Sequence, residues 1–138
     1  MTPMHDFIII DDDPINNFIS KEMIGMALNC NETVLDFTSP EEGFEYISKA
    51  YQSYRGNPVV LFLDINMPTM SGWEFLEKFR NLDKKIKDIF SVFIVSSSVD
   101  PRDKEQALAN PFVKDFITKP VTEEFLVAAF REKINKAG

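Results

Sequence analysis

The chain has 138 residues, 44% of them hydrophobic and 13 of them phenylalanine, which is enough to form the core of one ordinary domain and unlike a disordered protein. A formal net charge of −7 disfavours nucleic acid and anionic membrane surfaces as partners and favours proteins or cations. The sequence has neither the basic start of a signal peptide nor a run approaching the ~20 apolar residues of a membrane span. We therefore expect a soluble, cytoplasmic protein.

The first part of the chain alternates apolar runs with segments of helical spacing. A strand is predicted at Phe7–Ile10 and a helix over residues 14–28. The predicted buried face of that helix consists of Ile15, Phe18, Ile19, Met23, Met26 and Ala27. A second strand is predicted at Thr33–Phe37, and a second helix follows Ser39, which is a suitable N-cap.

The middle of the chain repeats this alternation. The run Val59–Leu63 is apolar at every position, which is typical of a central parallel strand covered on both faces. Ser71 caps a third predicted helix, which runs from Gly72 to about Leu82. A fourth strand is predicted over residues 89–95.

The last part adds two more helices around a short strand. A fourth helix is predicted from Pro101 to about Asn110, and its apolar face consists only of Ala107 and Leu108, so we expect it to be the least firmly docked. A fifth strand is predicted over residues 113–117, before a last helix capped by a threonine. The predicted apolar face of that helix consists of Phe125, Leu126, Ala129, Phe130 and Ile134.

Five strand–helix units predict an α/β fold, a doubly wound parallel sheet with helices on both faces. We expect a single domain over residues 1–138, with its core from about residue 6 to residue 135. In such sheets ligands bind beyond the carboxyl ends of the strands. The candidate site residues are therefore those that follow the strands.

Polar residues capable of chemistry follow four of the five predicted strands. They are Asp11, Asp12 and Asp13 after the first strand, Asp64 after the third, Ser96, Ser97 and Ser98 after the fourth, and Thr118 and Lys119 after the fifth. A single Asp in such a position is usually a turn former or a helix cap, and Asp13 before Pro14 fits that role best. The joint occurrence of these residues at one edge of the sheet predicts a functional site.

The predicted cluster of Asp11, Asp12 and Asp64 favours a bound cation, because carboxylates so close together raise one another's pKa unless a cation intervenes. Oxygen ligands without Cys or His select Mg²⁺ over zinc. An aspartate beside Mg²⁺ can act as a nucleophile towards phosphorus. Lys119 and the Ser96 hydroxyl are placed to neutralise phosphoryl oxygens.

The run from Asp64 to Gly72, Asp-Ile-Asn-Met-Pro-Thr-Met-Ser-Gly, resembles the D-x-x-M-P-x-M-x-G pattern of response regulator receiver domains, the CheY-like family. The acidic pair after the first strand, the serine after the fourth and the Lys-Pro after the fifth extend the resemblance from Phe7 to about Ile134. This resemblance implies a flavodoxin-like (βα)5 sheet with strand order 2-1-3-4-5. It also implies a phosphoprotein that acts in phosphorelay signal transduction within a two-component system.

The resemblance implies how the phosphoryl group and the metal would be bound. Asp64 would be the phosphoacceptor for a histidine kinase or a small phosphodonor. Mg²⁺ would be bound directly by Asp12 and Asp64, largely through water by Asp11, and by the backbone carbonyl of Asn66.

The resemblance also assigns a switch. Lys119 would pair with a phosphoryl oxygen, and the Ser96 hydroxyl would move towards the phosphoryl group. Phe116 occupies the position of the switch aromatic residue on the fifth strand, and its ring would turn inward. Ser96 stands where threonine is commoner in the family, and Phe116 cannot donate the hydrogen bond that a tyrosine could.

The expected partners are a sensor histidine kinase and a downstream or phosphotransfer protein. The latter would bind the face formed by the fourth predicted helix, the fifth strand and the fifth helix. About four residues follow the last predicted helix, so the chain resembles a stand-alone receiver rather than a DNA-binding regulator. No enzymatic activity is expected beyond self-phosphorylation and self-dephosphorylation.

Two alternatives remain open at the level of sequence. Phosphatases of the haloacid dehalogenase type also combine an aspartyl nucleophile, Mg²⁺, a hydroxyl and a lysine, but they need a further strand with an acidic pair where Glu123 and Glu124 open a helix. A pseudo-receiver would keep the fold without being phosphorylated, although such chains usually lose an acid or the lysine.

Overall fold

The computed structural model describes residues 6–28, 34–54, 56 and 58–137, with side chains as far as residue 130. Five parallel strands form one sheet in the order β2-β1-β3-β4-β5, which confirms the predicted doubly wound sheet and its strand order. The strands are β1 Phe7–Ile10, β2 Val34–Phe37, β3 Val59–Leu63, β4 Phe90–Ser96 and β5 Val113–Thr118. Thr33, predicted as the start of β2, lies outside the described residues.

Helices connect the strands and extend past the last one. They are α1 Pro14–Leu28, α2 Pro40–Ala50, α3 Gly72–Arg80, α4 Lys84–Lys87, α5 Pro101–Ala109 and α6 Glu123–Ala137. The fourth and fifth predicted helices are therefore α5 and α6. The single turn α4 was not predicted, because it buries only Ile86 and is too short to show a periodic apolar face. Within the described residues, no helix is both long enough and apolar enough to cross a membrane.

The predicted helix starts are confirmed by side-chain caps. The hydroxyl of Ser39 accepts a hydrogen bond from a backbone N–H in the first turn of α2, and Ser71 forms a capping box at α3. A carboxylate oxygen of Asp100 caps α5, and the hydroxyl of Thr122 caps α6. These caps fix where each chain segment turns away from the carboxyl edge of the sheet.

The sheet is covered on both faces, which gives the core two layers. In β1, Ile8 and Ile10 pack with α2 and α3, whereas Phe7 and Ile9 pack on the opposite face with α1 and α6. All five residues of β3 are buried, because this central strand has helices on both sides.

The predicted buried face of α1 is wrong for four of its six residues, while Met23 and Ala27 are partly buried against the core. Its large apolar side chains are mostly exposed, by 69% for Ile15, 64% for Phe18, 41% for Ile19 and 69% for Met26. The buried residues of α1 are instead Asn17, Ser20, Ile24, Gly25 and Leu28. Apolar residues occur around much of this helix, so periodicity alone could not select the face that meets the sheet.

The last two helices are packed to different depths. Within α5, Ala107 is buried and Leu108 is 48% exposed, which confirms the thin apolar face that was predicted. In α6, Leu126 and Phe130 are buried and Phe125 is partly buried, as predicted, whereas Ala129 is exposed and the side chain of Ile134 lies outside the described residues. The firmer packing of α6 leaves α5 as the helix that is more easily displaced.

Candidate functional site

The pairing of β1 with β3 brings the acidic residues together. Ile10 lies opposite Leu63, and the backbone N–H of Asp64 donates to the Ile10 carbonyl at 2.9 Å. Carboxylate oxygens of Asp11, Asp12 and Asp64 consequently lie within 4.8 Å of one another. The structure thus brings these three predicted metal ligands to the carboxyl edge of the sheet.

This cluster fits a hard divalent cation. Asp11 and Asp64 are only 2% and 5% exposed, and Asp12 is half-buried, so their charges are poorly screened by solvent. The donors are all oxygen atoms, the type that Mg²⁺ prefers. The residues present therefore suit the cation that their chemistry predicts.

Two asparagines that the sequence analysis did not single out fix the position of Asp11. The side-chain amide of Asn16 donates to Asp11 Oδ2 at 2.7 Å, and that of the buried Asn17 donates to the Asp11 backbone carbonyl at 3.0 Å. The backbone N–H of Asp13 donates to Asp11 Oδ1 at 2.9 Å. Asp13 itself accepts from the N–H of Ile15, so its predicted capping role is confirmed. The sequence signal that could have identified them is the pair of amide residues in the first helical turn after a strand that ends in acidic residues.

Lys119 bridges two of the carboxylates. Its Nζ lies 2.7 Å from Asp11 Oδ2 and 3.6 Å from Asp64 Oδ1, and its side chain is 17% exposed. Burial opposes the charged form, but the hydrogen bond to Asp11 and the charges of both acids outweigh it and raise the pKa of Lys119. Its backbone N–H donates to the Ser96 carbonyl at 2.9 Å, and a cis peptide bond joins it to Pro120.

The carboxyl group of Asp64 has a pKa above its ordinary value. Burial, followed by the negative charge of Asp11, raises the pKa of Asp64 to about 6, and the Lys119 ammonium offsets only part of that rise. Asp12 adds a smaller contribution of the same sign as Asp11. A cation placed among these groups would favour the ionised form.

This raised pKa predicts how stability depends on pH without metal. Between the unfolded pKa, ~3.9, and the folded pKa, the folded protein binds more protons than the unfolded chain, so the free energy of unfolding falls as pH rises. The variant Asp64→Asn has no carboxyl group to ionise at this position and therefore lacks this loss. The free energy of unfolding of the variant minus that of the parent should increase between pH 4 and pH 7 by on the order of 2 kcal/mol. Urea denaturation in EDTA measures both curves, and parallel curves would contradict the shift.

Ser96 lies at the end of β4, fully buried, beside the same edge. Its hydroxyl oxygen accepts from the Ser98 N–H at 3.0 Å. The Ser98 hydroxyl in turn donates to Asp103 in the first turn of α5 and accepts from the Asp100 N–H at 3.2 Å. A continuous set of hydrogen bonds therefore runs from Ser96 to the start of α5.

Asn66 and Phe116 stand at the margins of the site. Asn66 is exposed, and its N–H lies 3.4 Å from Asp64 Oδ1, while the ligand role of its carbonyl stays a prediction. Phe116 lies opposite Ile94 in the sheet and is half-buried against the core cluster that includes Ala107 of α5.

Gly72 is required where α3 approaches the acceptor strand. A Cβ atom at this position would lie 2.6 Å from the Asp64 carbonyl oxygen and 2.8 Å from Ile65 Cα. Both atoms belong to the backbone, so the conflict could be relieved only by moving backbone, either at the start of α3 or in the segment that carries Asp64. The glycine in the sequence pattern therefore reflects a close approach.

The chain belongs to the response regulator receiver domain family, whose model matches residues 7–131. Two solved structures support this assignment over nearly the whole chain. A two-component response regulator from Cytophaga hutchinsonii has a TM-score of 0.81 and 31% identity, covering 96% of this chain and 98% of that one. A response regulator receiver protein from Dyadobacter fermentans has a TM-score of 0.79 and 28% identity, covering 94% and 97%.

Two curated relatives are longer proteins. Hybrid signal transduction histidine kinase L of Dictyostelium discoideum is 28% identical over 132 residues, which are 95% of this chain and 7% of that protein. Sensory transduction protein LytT of Oceanobacillus iheyensis is 32% identical over 108 residues, which are 77% of this chain and 40% of that protein. The similarity thus concerns one part of each relative.

Membership of this family defines the general class of activity. Receiver domains are signalling switches of two-component systems, take part in phosphorelays with histidine kinases, and bind Mg²⁺ at an acidic site. The phosphatase alternative is therefore wrong as a description of the fold. The pseudo-receiver alternative concerns phosphorylation itself and is decided by the experiment below.

Proposed function

We propose that this chain is a receiver domain, one domain over residues 1–138, that accepts a phosphoryl group on Asp64. The observation that carries the proposal is the convergence of Asp11, Asp12, Asp64 and Lys119 at one buried edge of the sheet. Four groups from three strand ends meet there, with both the negative and the positive charge that phosphoryl transfer requires.

The residues divide the chemistry between them. Bound Mg²⁺, held by Asp12, Asp64, the Asn66 carbonyl and, through water, Asp11, would supply the positive charge that lets a carboxylate approach a phosphate. A carboxylate oxygen of Asp64 attacks phosphorus, and the donor's leaving group departs with the bonding electron pair. Lys119 turns from Asp11 towards a phosphoryl oxygen, a short movement because it already lies 3.6 Å from Asp64.

Labelling with a small donor tests the proposal. With acetyl phosphate or phosphoramidate and Mg²⁺, intact-mass spectrometry should show one added phosphoryl group that hydroxylamine removes, as expected for an acyl phosphate. A chain that takes no phosphoryl group from either donor would be a pseudo-receiver. Many turnovers on a phosphate ester would revive an enzymatic function.

A protein donor would approach the carboxyl edge of the sheet. The start of α1 lies beside the acidic cluster there, and it exposes Ile15, Phe18 and Ile19. Exposed apolar side chains grouped in this way mark surfaces that contact other proteins. We propose that a histidine kinase or phosphotransfer protein meets the chain here when it delivers its phosphoryl group.

The output would pass from Ser96 to the face formed by α5, β5 and α6. In the resting chain the Ser98 N–H donates to the Ser96 hydroxyl, and the Ser98 hydroxyl donates to Asp103. When the Ser96 hydroxyl moves to the phosphoryl group, the Ser98 N–H loses its acceptor, and the loop between Ser96 and Asp103 moves as a result. Phe116 can then turn inwards, and α5, which buries only Ala107, can shift. A downstream partner would distinguish the two surfaces.

This output route predicts a pattern of NMR shifts. Beryllofluoride with Mg²⁺, a mimic of the phosphoryl group, should perturb amide signals from Asp64 through residues 97–118, because the hydrogen bonds from Ser96 reach α5. The variant Ser96→Ala should confine the shifts to the acidic cluster. Shifts in the parent protein that run mainly into α1 would place the output surface elsewhere.

A further inference from the structure

The carboxylate of Asp11 accepts from three donors in the protein. Oδ1 accepts from the Asp13 N–H at 2.9 Å, and Oδ2 accepts from both Lys119 Nζ and Asn16 Nδ2, each at 2.7 Å. An ionised carboxylate can only accept hydrogen bonds, so the amide nitrogen of Asn16 must be the atom that faces it. Oδ2 therefore has one charged donor and one neutral donor.

These two donors differ in the other groups that they bind. Lys119 is shared, since its Nζ also lies 3.6 Å from Asp64, and in the proposed function it leaves Asp11 for a phosphoryl oxygen. Asn16 is not expected to leave Asp11, because its neutral amide interacts only weakly with a phosphoryl group. When Lys119 moves, Asn16 is the side chain that still donates to Oδ2, in a residue only 2% exposed. A buried carboxylate oxygen without a donor is unfavourable.

We propose that Asn16 is a positioning residue for phosphorylation. Its amide holds the Asp11 carboxylate in place while Lys119 changes partner, so the lysine can reach the phosphoryl group while Oδ2 keeps a donor from the protein. This inference rests on the proposed function of Asp64. It adds a role for a residue of the first turn of α1 that acts through Asp11 and Lys119.

The chemistry of the asparagine side chain suits this role. A lysine or arginine at position 16 would bring a positive charge next to the cation site and repel the metal. An aspartate would offer no donor and add a further negative charge. A neutral amide stabilises the Asp11 carboxylate without changing the net charge that attracts the cation.

Helix formation does not explain Asn16. The N-terminal cap of α1 is Asp13, whose Oδ1 accepts from the Ile15 N–H at 3.0 Å. Asparagine is a poorer helix former than leucine or alanine, so the secondary structure alone would favour either replacement. Asn17 provides the contrast, because it is buried and its amide bonds to backbone carbonyls of Asp11 and Phe37, a structural role.

The test separates binding of the metal from binding of the phosphoryl mimic. Asn16→Leu keeps a similar volume without the donor, and Asn16→Ala serves as a second variant should the first fold poorly. The single tryptophan, Trp73, is half-buried beside Gly72 near the acceptor loop and gives a fluorescence signal for titration with Mg²⁺ alone and then with beryllofluoride at saturating Mg²⁺.

We expect both variants to bind Mg²⁺ with an affinity within about twofold of the parent, because Lys119 still holds Asp11 in the resting state. Their affinity for beryllofluoride should fall about tenfold, the effect of one hydrogen bond to a charged group. Met26→Ala, a change at an exposed position of the same helix and outside the proposed docking surface, should leave both affinities unchanged.

Two results would overturn the inference. Beryllofluoride affinity equal to that of the parent would show that Asp11 needs no second donor. Equal losses of Mg²⁺ and beryllofluoride affinity, with a lower melting temperature, would show that Asn16 is merely structural. If the parent chain itself binds no beryllofluoride and accepts no phosphoryl group, the proposed function fails instead.

Discussion

Replacing Asp64 by asparagine is expected to abolish phosphorylation by acetyl phosphate or phosphoramidate. Asparagine has nearly the same shape but lacks the carboxylate that forms the acyl phosphate bond, and its amide is a poor nucleophile. Asp64 is 5% exposed at the end of the central strand, where its N–H bonds to the Ile10 carbonyl, so the isosteric change should preserve the fold. Intact mass and hydroxylamine lability measure the loss.

The matched control is Asp13→Asn, which removes the same charge two residues beyond Asp11. Asp13 is exposed and caps α1 through its Oδ1, a role that asparagine fills equally well. This variant should be phosphorylated like the parent. Labelling of Asp64→Asn to the extent seen in the parent would mean that another carboxylate is the acceptor.

Magnesium is expected to stabilise the folded chain strongly. A cation that binds only the folded state adds about 2.7 kcal/mol at a concentration one hundred times its Kd, and here it would also relieve repulsion among Asp11, Asp12 and Asp64. The melting temperature should therefore rise in millimolar Mg²⁺ or Mn²⁺. Differential scanning calorimetry with and without EDTA measures the rise.

Asp12→Ala should remove most of that stabilisation, because it deletes a proposed direct ligand that is less buried than its neighbours. Without metal the same variant should be more stable than the parent, since the charge of Asp12 contributes to the raised pKa of Asp64. Asp13→Asn again controls for the change in net charge. A full Mg²⁺ response in Asp12→Ala would rule out Asp12 as a ligand.

The alternation of strands and helices and the place of the site followed from the sequence because each depends on local pattern, whereas the strand order was implied by the family resemblance. The uniformly apolar run Val59–Leu63 predicts a strand buried on both faces, and the structure buries all five residues. Parallel strands then bring residues that follow them to one edge, so Asp11, Asp12 and Asp64 could be expected to meet before any distance was known.

Contacts within the site depended on tertiary structure. The sequence placed Lys119 near the acids, but only the fold shows that it bonds to Asp11 more closely than to Asp64, at 2.7 Å against 3.6 Å. Asn16 belongs to the same category. A polar residue in the first turn of a helix usually faces solvent, and only the fold shows that the Asn16 amide lies 2.7 Å from Asp11 Oδ2.

The sequence by itself determined the five strands, the five longer helices and the residues that follow the strands, because apolar period and turn chemistry are local properties. Only the tertiary structure decided which side of α1 is buried. That helix has apolar residues on more than one side, and its buried side contains Ile24 and Leu28 together with Asn17, Ser20 and Gly25, whose small or hydrogen-bonded side chains allow close approach. Phe18 and Met26 remain on the surface because helix packing requires shape complementarity as well as apolar character.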